Sequence, residues 1–232
     1  MLIDEYIKNK KISLYKLAEL SGVSYPTVYN LVNGKSDINN CALGKVLPIA
    51  KALDLSVEDL VFLCNQKYTF TLFKSEQCHL VNRMGQVEYV IEVLEDKKID
   101  RFWRLCCYAE AMYMVAMVDY LSRLNDIPKC TNYNYIRNQK LKEKIYPIDA
   151  VIQKKLTNKN SLLKKMEKDA IPEFLAFNIV EGDVIHDEER SGERKNFQIL
   201  KNAEAYGEQL SADNLSDVLE RAKKIASERK QK

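Results

Sequence analysis

Two histidines and six cysteines are the side chains of this 232-residue chain best able to ligate a metal or attack a substrate. Their spacing suits neither task. His79 and His186 stand in no HExxH-type pattern, and the chain has no glycine-rich phosphate loop and no GxSxG elbow. His79 follows Cys78 on an apolar helix face, which points to core packing, because a Cys-His nucleophile needs approach in space rather than adjacency in sequence. His186 lies in a charged stretch and is expected in solvent. Cys41, Cys64, Cys78 and Cys130 are scattered, and the adjacent pair Cys106-Cys107 lacks the intervening residues of a zinc clip. Buried, reduced thiols are the expectation. No enzyme, metal site or cofactor is expected. Hydrogen-bonding groups of another kind gather between Ser13 and Lys35, where Thr27 and Asn30 can each donate or accept and Tyr25 can stack or reach an anion.

The elements that must position those groups are two short apolar-periodic segments on either side of Ser21-Gly22-Val23-Ser24. Leu14, Leu17, Ala18 and Leu20 recur at helical spacing, as do Val28, Leu31 and Val32. Ser13 and Ser24 can each cap a helix through a side-chain oxygen that accepts from first-turn amides. Gly22 suits the left-handed residue that ends a helix. Pro26 falls in the first turn of the second helix, where its missing donor costs nothing, and Gly34 closes that helix. Helices are expected at about Leu14–Ser21 and Tyr25–Asn33, in the order helix, short turn, helix.

Leu17-Ala18-Glu19, Gly22-Val23-Ser24, Thr27-Val28 and Asn33-Gly34-Lys35 resemble the Cro and lambda-repressor (Xre) type of helix-turn-helix. The resemblance continues through Ile49-Ala50-Lys51-Ala52-Leu53 and Ser56-Val57-Glu58-Asp59-Leu60, which look like that family's fourth and fifth helices. It covers about the first 65 residues and implies that the second helix of the motif lies in the DNA major groove. By matching positions, Ser24, Tyr25, Pro26, Thr27 and Asn30 would face base edges, while Asn33 and Lys35 would touch phosphate. Tyr25 and Leu14 stand where the family commonly carries glutamine, and the leucine removes a phosphate contact. The alternative for Tyr25 and Tyr29 is packing on a neighbour.

Net charge is only +3, so total charge does not announce a nucleic-acid partner. Its placement is more telling. Lys8, Lys10, Lys11, Lys16, Lys35, Lys45 and Lys51 face only Glu19 and Asp37 between residues 8 and 51, while the remaining acids of the first 66 residues lie at the start and on the last helix. A domain with one basic face fits DNA. The charged start lacks the apolar core of a signal peptide, and the longest uncharged apolar run, Ala111 to Val118, is too short for a bilayer. A cytoplasmic protein with no membrane contact is expected. The 46% apolar composition argues for a folded chain.

The expected organisation is all-α: a five-helix, lambda-repressor-like domain at 1–66, a larger helical dimerisation or signal-receiving domain at 67–182, and a charged linker with a terminal amphipathic helix at 183–232. Leu2–Asn9 forms the first helix, and Pro48 should kink or split the fourth, from Cys41 to Leu53. Beyond Tyr68 the periodicity predicts helices to Lys97, then one long buried helix from Asp100 to Asn125. Shorter helices follow near Thr131–Leu141, Ile148–Leu156, Leu162–Asp169 and Pro172–Ile179. Glu181 to Asn196 reads as a charged linker. Leu215, Val218, Ala222 and Ile225 then form a seam suited to a second copy of the chain or, nearly equally, to its own domain. The resemblance implies DNA binding, and repression is the commoner outcome in that family. A dimeric repressor reading a double-stranded operator is therefore expected, with relief by a small molecule or a protein inducer bound to the helical domain. Regulators of phages and chromosomal islands share this layout, which makes an antirepressor a fitting partner. A self-cleaving regulator would need a serine-lysine dyad on a β-rich domain, which this second half does not resemble. The alternative is an antitoxin that represses its own operon and masks a toxin.

Overall fold

Capping chemistry sets the ends of the first helices. The computed structural model of the protein describes residues 2–65, 69–157, 161–182 and 211–230. Helices α1 (Leu2–Asn9), α2 (Leu14–Ser21), α3 (Tyr25–Val32), α4 (Leu43–Ala52) and α5 (Val57–Cys64) fall at the expected places. The Ser56 side chain caps α5 by accepting from the Asp59 amide at 3.0 Å. Helix α4 runs unbroken through Pro48, which forgoes only the bond to the Gly44 carbonyl one turn back.

These helices enclose one core. Helix α1 packs on α5, α2 on α3 and α4, and α4 on α5. Ile3, Leu17, Val28 and Leu60 at its centre are wholly buried. The Tyr6 hydroxyl donates to the Leu53 carbonyl at 3.1 Å, and burial pushes its pKa up to about 12.

The core is not closed by its own stretch of sequence. The unit containing it comprises Met1–Thr69 together with Phe102–Cys107. Leu105 and Cys107 are buried in it, and the Phe102 ring meets Phe62 edge-on, with centroids 5.5 Å apart. Arg104 Nη2 donates to Oδ2 of the buried Asp59 at 3.0 Å. The single helix expected from Asp100 to Asn125 is thus two, α8 (Lys98–Arg104) and α9 (Tyr108–Leu124). Cys106 lies between them with φ 59°. Its amide bonds to the Trp103 carbonyl and that of Cys107 to Phe102, the pairing that normally closes a helix over glycine. Lys11, Asp54, Lys97, Asp126 and Asn178 also hold positive φ.

The second unit comprises Phe70–Arg101 and Tyr108–Lys232. Helix α9 is its axis, and its burial on nearly every side agrees with its apolar character. Against it pack α6 (Phe70–Met84), α7 (Gln86–Glu95), α10 (Asn134–Arg137) and α13 (Pro172–Leu175). Tyr113 meets Phe70, Phe73 and Phe174 at centroid distances of 5.9, 6.0 and 4.9 Å. Two arginines neutralise buried acids with paired bonds. Arg137 donates from Nε and Nη2 to Asp119 at 2.8 and 2.7 Å, and Arg123 likewise to Glu173 at 2.5 and 3.1 Å.

Smaller elements depart from expectation. The helix expected near Thr131–Leu141 is a 3-10 turn followed by the four-residue α10, and Pro172–Ile179 is helical only to Leu175. Helices α11 (Ile148–Thr157) and α12 (Ser161–Asp169) agree with the periodicity. Among the described residues the β structure is a two-residue parallel pair, β1 (Lys129–Cys130) with β2 (Ser211–Ala212), and an isolated bridge between Ile145 and Ile179, so the fold is all-α as expected. The terminal helix α14 (Leu215–Lys230) buries Val218, Ala222 and Ile225 against α7 of its own chain. Ion pairs of Lys223 with Glu95 and Lys230 with Glu88 flank it. That docking at home corrects the slight preference for a second copy. His79 is exposed rather than packed in a core, because its neighbour Cys78 faces inward, to the Tyr113 hydroxyl at 3.7 Å. His186 and most of the charged stretch from Glu181 to Asn196 lie outside the described residues. Among the described residues no helix is long and apolar enough to cross a membrane.

Candidate nucleic-acid interface

Local sequence builds the turn between α2 and α3 almost unaided. Ser13 Oγ accepts from the Lys16 amide at 3.1 Å, and Gly22 ends α2 with φ 65°. Ser21 Oγ then accepts from the Val23 amide at 3.3 Å, pinning the turn. The Ser24 carbonyl receives the Thr27 and Val28 amides at 3.0 and 3.2 Å and so starts α3, with Pro26 in its first turn. The Ser24 hydroxyl departs from the expected cap. It pairs with the Thr27 hydroxyl at 3.0 Å instead of a backbone amide.

Helix α3 is anchored on one side and open on the other. Val28, Leu31 and Val32 are buried, which turns Pro26, Tyr29, Asn30 and Asn33 outward at three- and four-residue spacing. Ser24, Tyr25, Pro26, Asn33 and Lys35 are exposed, and Thr27 and Asn30 are half-buried. All seven residues singled out by resemblance therefore lie on or beside one helix of eight residues and its closing turn. Leu14 is partly buried against the core, so it offers no polar contact at the position where glutamine is common.

The closing turn is equally ordered. Gly34 adopts φ 67°, and the Lys35 and Ser36 amides return to the Asn30 carbonyl at 2.8 and 3.1 Å. Asn33 Nδ2 donates to the Tyr29 carbonyl at 2.8 Å, leaving its second N–H and its oxygen for other partners. Lys35 Nζ stands 4.9 Å from the centroid of the Tyr29 ring, which is stacked at 6.1 Å on Tyr25. Tyr29 is the member of this surface that matching positions did not supply. Its four-residue offset from Tyr25 was the available signal, and the packing considered for the two rings is present in part, since they stack on each other while staying partly exposed.

Electrostatics adds exposed positive charge. Lys8, Lys10, Lys11, Lys16, Lys35, Lys45 and Lys51 are all exposed. Lys8 pairs with Asp4 at 2.6 Å and Lys16 with Glu19 at 3.1 Å, so part of that charge is neutralised within the helices. The Asp4 carboxylate raises the pKa of Lys8. Of these, Lys35 stands at the closing turn of α3, against Tyr29, where an ammonium can neutralise a phosphate while polar groups on the helix meet base edges.

Residues 3–63 match the family model of the Cro/C1-type HTH DNA-binding domain. Neither the curated proteins nor the solved structures contain a match to the chain. The matched span runs from α1 to α5 and includes the turn, the open face of α3 and the buried anchors just described. Residues 3–63 are a Cro/C1-type helix-turn-helix DNA-binding domain.

Proposed function

We propose that this chain is a sequence-specific transcriptional regulator, acting as a repressor that reads an operator duplex as a dimer. One observation carries the reading: α3 is fixed by Val28, Leu31 and Val32 while Ser24, Tyr25, Pro26 and Thr27 stand at its start and Asn30 one turn on, on the side away from those anchors. In a major groove, Thr27 and Asn30 would meet base edges, and Asn33 and Lys35 would meet phosphate. The second unit would pair two copies and receive the signal that relieves repression, whether a small molecule or a protein inducer of the mobile-element type.

Selection of bound sites from random duplex DNA tests this directly. Recovery of a defined site with two related halves supports it, and half-site spacing near one helical turn supports the dimer. The reading fails if the purified dimer shows no preference for any duplex even at low salt. Co-purification of a stoichiometric toxin from the host would assign the chain to the antitoxins instead.

A further inference from the structure

We infer that Tyr29 is a positioning residue for the phosphate-contacting end of α3, a role that rests on the DNA-reading assignment above. Tyr29 and Tyr25 keep 36% and 44% of their surface exposed, so the protein core does not account for where their rings lie. The rings instead lie 6.1 Å apart at 30° to one another, and Lys35 Nζ stands 4.9 Å from the Tyr29 centroid. The backbone makes this possible. The left-handed turn at Gly34 carries the chain back so that the Lys35 amide bonds to Asn30, bringing its side chain over the last turn of α3. The Tyr29 carbonyl meanwhile receives both the backbone and the side-chain amide of Asn33, at 3.0 and 2.8 Å. One residue thereby touches Tyr25, Asn33 and Lys35, three members of the proposed interface.

The physical benefit is preorganisation. A lysine free in solvent samples many rotamers and gives them up when it meets a phosphate. The face of a phenol ring attracts an ammonium even at an exposed site, so Lys35 is held near its working position beforehand. The ring suffices for this; the Tyr29 hydroxyl is not required.

The test uses the full chain. Without DNA, ring current should shift the Lys35 side-chain methylene protons upfield in the wild type and in Tyr29→Phe, and not in Tyr29→Leu. On the tightest duplex recovered from a random pool, Tyr29→Phe should bind as the wild type does. Tyr29→Leu should bind about threefold more weakly, as expected for an exposed cation–ring pair. Once Lys35→Ala is present, Tyr29→Leu should cost nothing further. Additive losses, a Tyr29→Phe defect equal to that of Tyr29→Leu, or an absent upfield shift would each overturn the positioning role alone. A pool that yields no preferred duplex overturns the DNA-reading assignment and this role with it.

Discussion

Leu105→Ala should destabilise a domain whose other helices end some forty residues earlier. Leu105 keeps only 2% of its surface and belongs to the same core as Tyr6, Leu53, Leu60 and Leu63. Truncation removes the transfer free energy of a nearly whole side chain and leaves a cavity beneath α1 and α5, so the expected loss is about 3 kcal/mol. At a tenfold change for each 1.4 kcal/mol, opening of that core should become about a hundredfold more frequent. Native-state hydrogen exchange can read this helix by helix. Amides of α1 and α5 should lose about two decades of protection in the variant, whereas those buried in α9 should keep theirs. Protection lost in α9 and kept in α1 would refute the assignment of Phe102–Cys107 to the amino-terminal core.

Three further outcomes are expected. Thr27→Ala should weaken binding to a selected duplex by about 1–3 kcal/mol and hardly affect random DNA; equal loss on both would contradict base reading. Tyr6 ionises near 10 when exposed and at about 12 in the fold, so between those values the folded state retains a proton the unfolded chain has lost. Stability therefore falls as pH rises through that window, and Tyr6→Phe should reduce the steepness of alkaline unfolding; an unchanged slope would place that proton elsewhere. Glu173→Gln leaves the Arg123 guanidinium buried without its carboxylate and should cost about 3–5 kcal/mol by denaturant unfolding, while replacing both residues with methionine should recover much of it. A double variant as unstable as the single one would show that the pair does more than neutralise charge.

What could be foreseen followed the range of the forces involved. Ser13, Gly22, Pro26 and Gly34 act within one turn of themselves, so the limits of α2 and α3 were legible from those residues alone. The same holds for Ser56 at α5, whereas at the start of α14 Ser211 and Asn214 were equal candidates from sequence and it is Asn214 whose Oδ1 accepts from the Asp217 amide at 2.8 Å. The break at Cys106 was not legible, because a cysteine in left-handed backbone carries no sign of it and apolar periodicity continues on both sides. Membership of Phe102–Cys107 in the first core is a pairing of distant segments that periodicity cannot express. The α14 seam shows the same limit. Its apolar positions were readable at three- and four-residue spacing, but the pattern cannot distinguish α7 from a second chain. At the interface, identities at matching positions indicated the open face of α3, whereas the role of Tyr29 depends on where the Gly34 turn sends Lys35.

The left-handed residues at helix ends have a consequence for engineering. This chain has only seven glycines, and Lys11, Asp54, Lys97, Cys106, Asp126 and Asn178 hold positive φ without one. Each L-residue in that region carries roughly 1–2 kcal/mol of steric strain, less for Asp and Asn. Lys11, Lys97 and Cys106 together carry about 3–6 kcal/mol of it, a noticeable share beside the folding free energy of a domain, typically about 5–15 kcal/mol. Heat resistance is therefore within reach at the end of α7, by glycine at Lys97, without altering any side chain on the open face of α3 or any lysine of the first domain.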